Sequence, residues 1–253
     1  MHSSRDNIGQ PHEYIKRLRV GYAGASVAIL IIIAWLAAYS FMPNPLYILN
    51  HPNTLFAPML AGAIGVASSC YQAPGYFKLA NINGRYGHGR LGVVFLVITW
   101  ALATTSPIAY YLSVTLFVTK ELSFLGPIPN PVLADLSVAS MISSLIMAFP
   151  ATLLISTTLI RLGNDLGRPM IKAGTILLLI GAVELILMAI LSMPPMRLII
   201  INLESSIPVR IEIPIQLLSI LFIVLPPTLG LIGTLLLTTG LNTSQTRLII
   251  KGN

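Results

Sequence analysis

The stretch AGTILLLIGAVELILMAILSM, Ala173 to Met193, is an aliphatic run with a single charge, the carboxylate of Glu184. At about 1.5 Å of rise per residue, a helix of this length covers the roughly 30 Å hydrocarbon core of a bilayer. Five more runs of similar character occur in the chain: Val20 to Phe41, Leu55 to Tyr76, Leu91 to Val118, Val132 to Ile160 and Ile215 to Leu241. The composition agrees, with 55% hydrophobic and only 9% charged residues and a mean hydropathy of +0.83. These values lie outside the range of ordinary soluble domains. The expected fold is all-α, a polytopic membrane bundle of six transmembrane helices forming one domain over residues 1–253.

Orientation follows from the fifteen basic residues. With a cytoplasmic N-terminus, the inner side holds Arg5, Lys16, Arg17, Arg19, Lys78, Arg85, Arg90, Arg161, Arg168, Lys172, Arg247 and Lys251, and the outer side holds Lys120, Arg197 and Arg210. Twelve against three in short loops places both termini in the cytoplasm and the chain in the cell membrane as a multi-pass protein. Residues 1–19 then form a cytoplasmic tail. Its segment PHEYIKRLR, Pro11 to Arg19, sets Tyr14, Ile15 and Leu18 against Lys16, Arg17 and Arg19, a pattern suited to an interfacial helix. The first apolar run is too long for a cleavable signal peptide and reads as a retained anchor.

The net charge of +7 does not point to nucleic acid, because the basic residues sit in juxtamembrane clusters and not in one groove-like patch. Anionic lipid headgroups are the expected partner. Helix association in lipid relies on small residues and interhelical hydrogen bonds. Ala57, Ala61, Gly65, Ser69 and Ala73 form such a stripe in the second run, and Ser140, Ser144, Ala148, Thr152 and Ser156 one in the fourth. Shorter rows are Ala101, Thr105, Ala109 and Ser113 in the third and Gly230, Thr234 and Thr238 in the sixth. Such hydroxyls either pack, bonded to their own backbone, or line a polar path. The single Cys70 reads as a packing residue.

An acidic side chain at a helix centre costs about 2.5–3.5 kcal/mol to insert. As a neutral acid, Glu184 needs a hydrogen-bond acceptor. Pro226 and Pro227 in the sixth run remove two helical N–H groups, which frees the carbonyls of Phe222 and Ile223. Counted from the inner boundary, Glu184 falls at about 16 Å and these carbonyls at about 18–20 Å, nearly the same depth. The expectation is a sixth span broken or sharply bent at the proline pair and facing Glu184. That locus serves either as a proton or cation site or as a pin between two spans.

Several chemistries are absent from the pattern. His2, His12, His51 and His88 all fall in tails or loops, so no pair is placed to hold a haem. No H-E-x-x-H or G-x-S-x-G stretch occurs, and Asp135 and Asp165 belong to opposite membrane faces. The glycine-rich NINGRYGHGR, Asn81 to Arg90, lacks phosphate-loop spacing. No catalytic residue, metal or cofactor is expected. The outer segment RLIIINLESSIPVRIEIP, Arg197 to Pro214, alternates as a β-hairpin would between helices five and six.

GRYGHGRLGVVFLVI, Gly84 to Ile98, and GNDLGRPMIKAGTILLLI, Gly163 to Ile180, share a plan of glycine-and-arginine turn, basic residue, glycine and aliphatic run. Both stretches resemble a family of uncharacterised archaeal multi-span membrane proteins, a likeness that covers about a third of the chain and implies no activity. The leading expectation is a non-catalytic accessory or scaffold subunit of a membrane complex, with other membrane subunits or further copies of itself as partners. The alternative is a transporter: an ion-coupled carrier using Glu184, or the permease subunit of an ATP-driven exporter.

Overall fold

The computed structural model describes residues 11–40, 52–115, 130–191 and 215–242. Among them are six α-helices, two short 3-10 turns (Pro52–Leu55 and Gly84–Tyr86) and no strand. The helices are α1 (Pro11–Ser40), α2 (Phe56–Ile82), α3 (His88–Thr115), α4 (Pro131–Asp165), α5 (Pro169–Leu191) and α6 (Ile215–Gly240). Five of them, α1 to α5, are long and apolar enough to cross a membrane, and α6 is apolar from Val224 to Gly240. The hairpin expected at Arg197 to Pro214 lies outside the described residues, as do residues 1–10.

The helix ends follow local chemistry. Asn130 accepts a hydrogen bond from Leu133 N at 3.2 Å, with Pro131 in the first turn, and so caps α4. Gly167, at φ 63°, makes the turn between α4 and α5, a backbone conformation that costs glycine nothing. Asn83 leaves the helical region after α2 and accepts from Arg85 N at 3.0 Å. These two turns and the N-terminal part of α1 gather the described basic side chains at one end of the bundle, the basic end.

Two expectations are corrected here. Pro11 to Arg19 is not a separate interfacial helix but the opening of α1. Its apolar side is taken up by the bundle, with Tyr14, Ile15 and Leu18 at 2%, 1% and 0% exposure. Gly75 on α2 permits this, since a Cβ there would come within 3.0 Å of the Tyr14 carbonyl. The polar side keeps Lys16 exposed and pairs Arg17 with Glu13 at 2.7 Å. The second correction concerns α6, which continues as a helix through Pro226 and Pro227. A proline φ near −65° is itself helical, so the pair removes two donors without ending the helix.

Each helix packs against the next in sequence, and α6 returns to α1, so the six form a closed ring. Glycine lies at every seam. A Cβ on Gly21 would overlap Gln72, one on Gly24 would overlap Ser68, and one on Gly62 or Gly65 would overlap Thr104 or Trp100. Gly89 and Gly92 bring α3 onto Thr158 and Ile155 of α4, and Gly163 brings α4 onto Ile171 and Lys172. Gly174 and Gly233 are reciprocal: a Cβ on either would lie 2.7 or 2.8 Å from the other's carbonyl oxygen. Gly230 faces Ile29, and beside it Ser26 donates to Thr234 at 2.8 Å, closing α6 on α1. Gly92 and Gly174, common to the two similar sequence stretches, each open the seam to the following helix.

Of the small-residue stripes, Ala61, Gly65, Ser69, Ser140 and Ser144 are buried, and Ala57, Ala148 and Thr152 are partly buried. In α3 the row is buried only at Ala109 and Ser113, because Ala101 and Thr105 face outward. Most of the hydroxyls bond their own helix: Ser69 to Gly65 O, Ser144 to Met141 O and Thr152 to Ala148 O, each at 2.8 Å. Large hydrophobic side chains are exposed on all six helices, among them Leu30, Leu60, Leu91, Ile146, Ile176 and Leu235. An outward apolar belt of this kind suits a lipid environment.

Replacing Gly233 by Leu is expected to separate α5 from α6 and lower stability by about 1–3 kcal/mol or more, as overpacking does. Thermal unfolding in detergent measures it. Gly84→Ala is the control, because nothing lies within 4 Å of a Cβ at that position, and its effect should stay within about 0.5 kcal/mol.

Candidate functional site

Two polar loci hold buried atoms without a hydrogen-bond partner. The first is Glu184 on α5. Gly181 packs on α6 so closely that a Cβ would lie 2.9 Å from the Pro226 carbonyl oxygen and 3.4 Å from Gly230 N. Continuing that antiparallel register by one turn places Glu184 level with residues 223–227 of α6. This register puts the proline pair near the level of Glu184, whose side chain is partly exposed. Oε2 of Glu184 is buried and has no hydrogen-bond partner. An interhelical hydrogen bond through this oxygen is thus not made.

The second locus is Gln72, which charge patterns do not reveal because an amide carries no charge. It sits on α2 one turn before Tyr76, and its side chain is 0% exposed. Neither Oε1 nor Nε2 has a partner. Gly21 of α1 presses against the Gln72 side chain. Beside it the Tyr22 and Tyr76 hydroxyls hydrogen-bond to each other across the α1–α2 seam. Ser26 joins the same region to α6 through Thr234 and also bonds Tyr22 O at 2.9 Å. The visible signal was an amide amid apolar residues, in the sequence YQAPGY, Tyr71 to Tyr76.

Around this second locus the packing is asymmetric along the bundle axis. The largest fully buried side chains include Tyr76, Ile15, Leu18, Leu159, Ile171 and Leu237, and all of them lie in the basic half. They belong to one hydrophobic cluster to which every helix contributes. In the opposite half the buried residues are mostly small, such as Ala61, Gly65, Ala109, Ser140 and Ser144.

At the basic end, the charged side chains tie the helix ends together. Arg168 donates to Gly240 O at 2.7 Å and Asn242 O at 3.1 Å, neutralising the C-terminal carbonyls of α6. Arg19 donates to Asn242 Oδ1 at 3.0 Å, Arg161 to Arg85 O, and the Tyr86 hydroxyl to Asp165. His88 is exposed. Among the described residues, no group of three or more His, Cys, Asp or Glu side chains is placed to hold a metal ion. Cys70 is exposed on the outside of α2.

In comparisons with known proteins, the chain matches no protein-family model, no curated protein and no solved structure.

The Tyr22–Tyr76 pair yields a direct test of the central packing. Tyr76→Phe leaves the Tyr22 hydroxyl buried without its partner and should cost about 1–3 kcal/mol. The double substitution Tyr22→Phe with Tyr76→Phe should recover much of that loss, a coupling that a thermal or denaturant double-mutant cycle reads.

Proposed function

We propose that the chain is a non-catalytic transport protein of the cell membrane. It crosses the bilayer six times, with both termini and the basic end on the cytoplasmic side. The described helices support this through their outward apolar belt and the basic turns gathered at one end. In this reading the structure is the state closed to the cytoplasm, sealed by the hydrophobic cluster of the basic half.

The observation that carries the reading is Gln72. A buried amide without a hydrogen-bond partner in the protein costs about 1–3 kcal/mol on protein mutational scales. A bundle that held one conformation would be more stable with a leucine in its place. A carrier that alternates recovers the cost in its other state, when α1 and α2 part at Gly21 and Gly24 and water reaches the amide. The α5–α6 seam, locked by the Gly174–Gly233 backbone contact, is the fixed side of this motion. The second reading, an accessory or scaffold subunit, draws support from the Ser and Thr rows bonded to their own backbones, which line no polar path.

Cysteine labelling in a Cys70→Ser background separates the two. Gln72→Cys should react with a hydrophilic thiol reagent from the cytoplasmic side at least about tenfold faster than Thr175→Cys, although both positions are 0% exposed. Equal protection of the two cysteines contradicts the transport reading and favours the scaffold.

A further inference from the structure

We propose that the outward face of α2 at the basic end, with its edges on α1 and α3, is a docking surface for the headgroup of an anionic phospholipid. Tyr71, Pro74, Phe77 and Lys78 recur at spacings of three and four residues, which sets them on one side of α2. Tyr71 and Phe77 are 44% and 43% exposed. Each ring carries a guanidinium from a neighbouring helix. Arg17 of α1 lies 6.0 Å from the Tyr71 centroid, and Arg90 of α3 lies 6.0 Å from that of Phe77.

The cations form a group. Glu13, bonded to Arg17 at 2.7 Å, lies within electrostatic reach of Lys78 and Lys16 as well. The face thus sets Lys16, Arg17, Lys78 and Arg90 against the single carboxylate of Glu13. Other basic side chains of this end serve the helix ends: Arg19 donates to Asn242 Oδ1, Arg161 to Arg85 O and Arg168 to Gly240 O.

The surroundings select an amphiphile. Directly inward from the arginines the surface turns apolar, with Val20 of α1 46% and Leu91 of α3 59% exposed. A phosphate then meets the cations while its acyl chains follow the apolar belt. A guanidinium stacked on a ring keeps its remaining in-plane N–H donors for such a phosphate. An acidic soluble protein would meet the cations and leave the belt below them uncovered.

The surface rests on the membrane placement given above and holds for a carrier or a scaffold alike. Native mass spectrometry of the full chain in a non-ionic detergent tests it, by titration with phosphatidylglycerol or with phosphatidylcholine of the same acyl chains. The first phosphatidylglycerol should bind at least about tenfold tighter than the first phosphatidylcholine. Lys78→Gln and, separately, Arg17→Gln should each reduce that preference about fivefold, the effect of one cation near an anionic surface. Lys172→Gln removes a charge at the same end but on the α4–α5 seam, and should leave the preference within about twofold. Equal binding of the two lipids overturns the proposal. A loss in Lys172→Gln as large as in Lys78→Gln also overturns it, since net charge alone would then act. Displacement of phosphatidylglycerol by an equal concentration of soluble glycerol phosphate overturns the lipid in favour of a free phosphate anion. Labelling at Gln72→Cys is read independently of lipid binding, so either result stands when the other fails.

Discussion

The ring depends on backbone meeting backbone at glycine. In lipid, helices gain little by withdrawing apolar side chains from an apolar solvent, so dispersion at short range and weak Cα–H···O contacts must hold them. Gly174 and Gly233 show the limiting case, where each residue occupies the space the other's side chain would need. The same device recurs around the ring, at Gly21 and Gly24, Gly62 and Gly65, Gly92, and Gly163. Five of the six seams join consecutive helices, and the α6–α1 seam joins the two ends of the series.

Within this frame the two ends of the bundle differ. The basic end is filled by tyrosine and leucine side chains from all six helices and tied by arginine to helix-end carbonyls. Polar groups deeper in the ring are mostly satisfied locally by backbone bonds one turn back. Gln72, Glu184 and the Ser156 hydroxyl are exceptions. Gln72 lies on the α1–α2 seam beside the hydrophobic cluster, and Glu184 lies on α5 near the level of the proline pair.

Much of this was legible in the sequence. The six apolar runs matched six helices because length and hydropathy alone decide that question. The Gly181–Pro226 contact sets Glu184 near the level of the proline pair, whereas the side the carboxylate faces depends on tertiary packing that residue counting does not give. Other features depended on tertiary partners. Whether Tyr14, Ile15 and Leu18 meet headgroups or protein turns on Gly75, some sixty residues away in the chain. A proline pair reads as a helix breaker until a neighbouring helix supports the segment, as α5 does through Gly181. Neither charge nor periodicity marks Gln72, an uncharged amide, and its tight packing comes from the glycine opposite.

The closure of α6 on α1 is the claim on which the ring and its hydrophobic cluster rest. Pairing Ser26→Cys with Thr234→Cys in a Cys70→Ser background tests it most directly, since the native hydroxyls are 2.8 Å apart, within reach of a disulfide between the substituted side chains. Mild oxidation in membranes should give a fast cross-link within single chains, seen as a compact monomer on a denaturing gel. Absence of the cross-link, or its formation only between two chains, would show that the ring does not close as described.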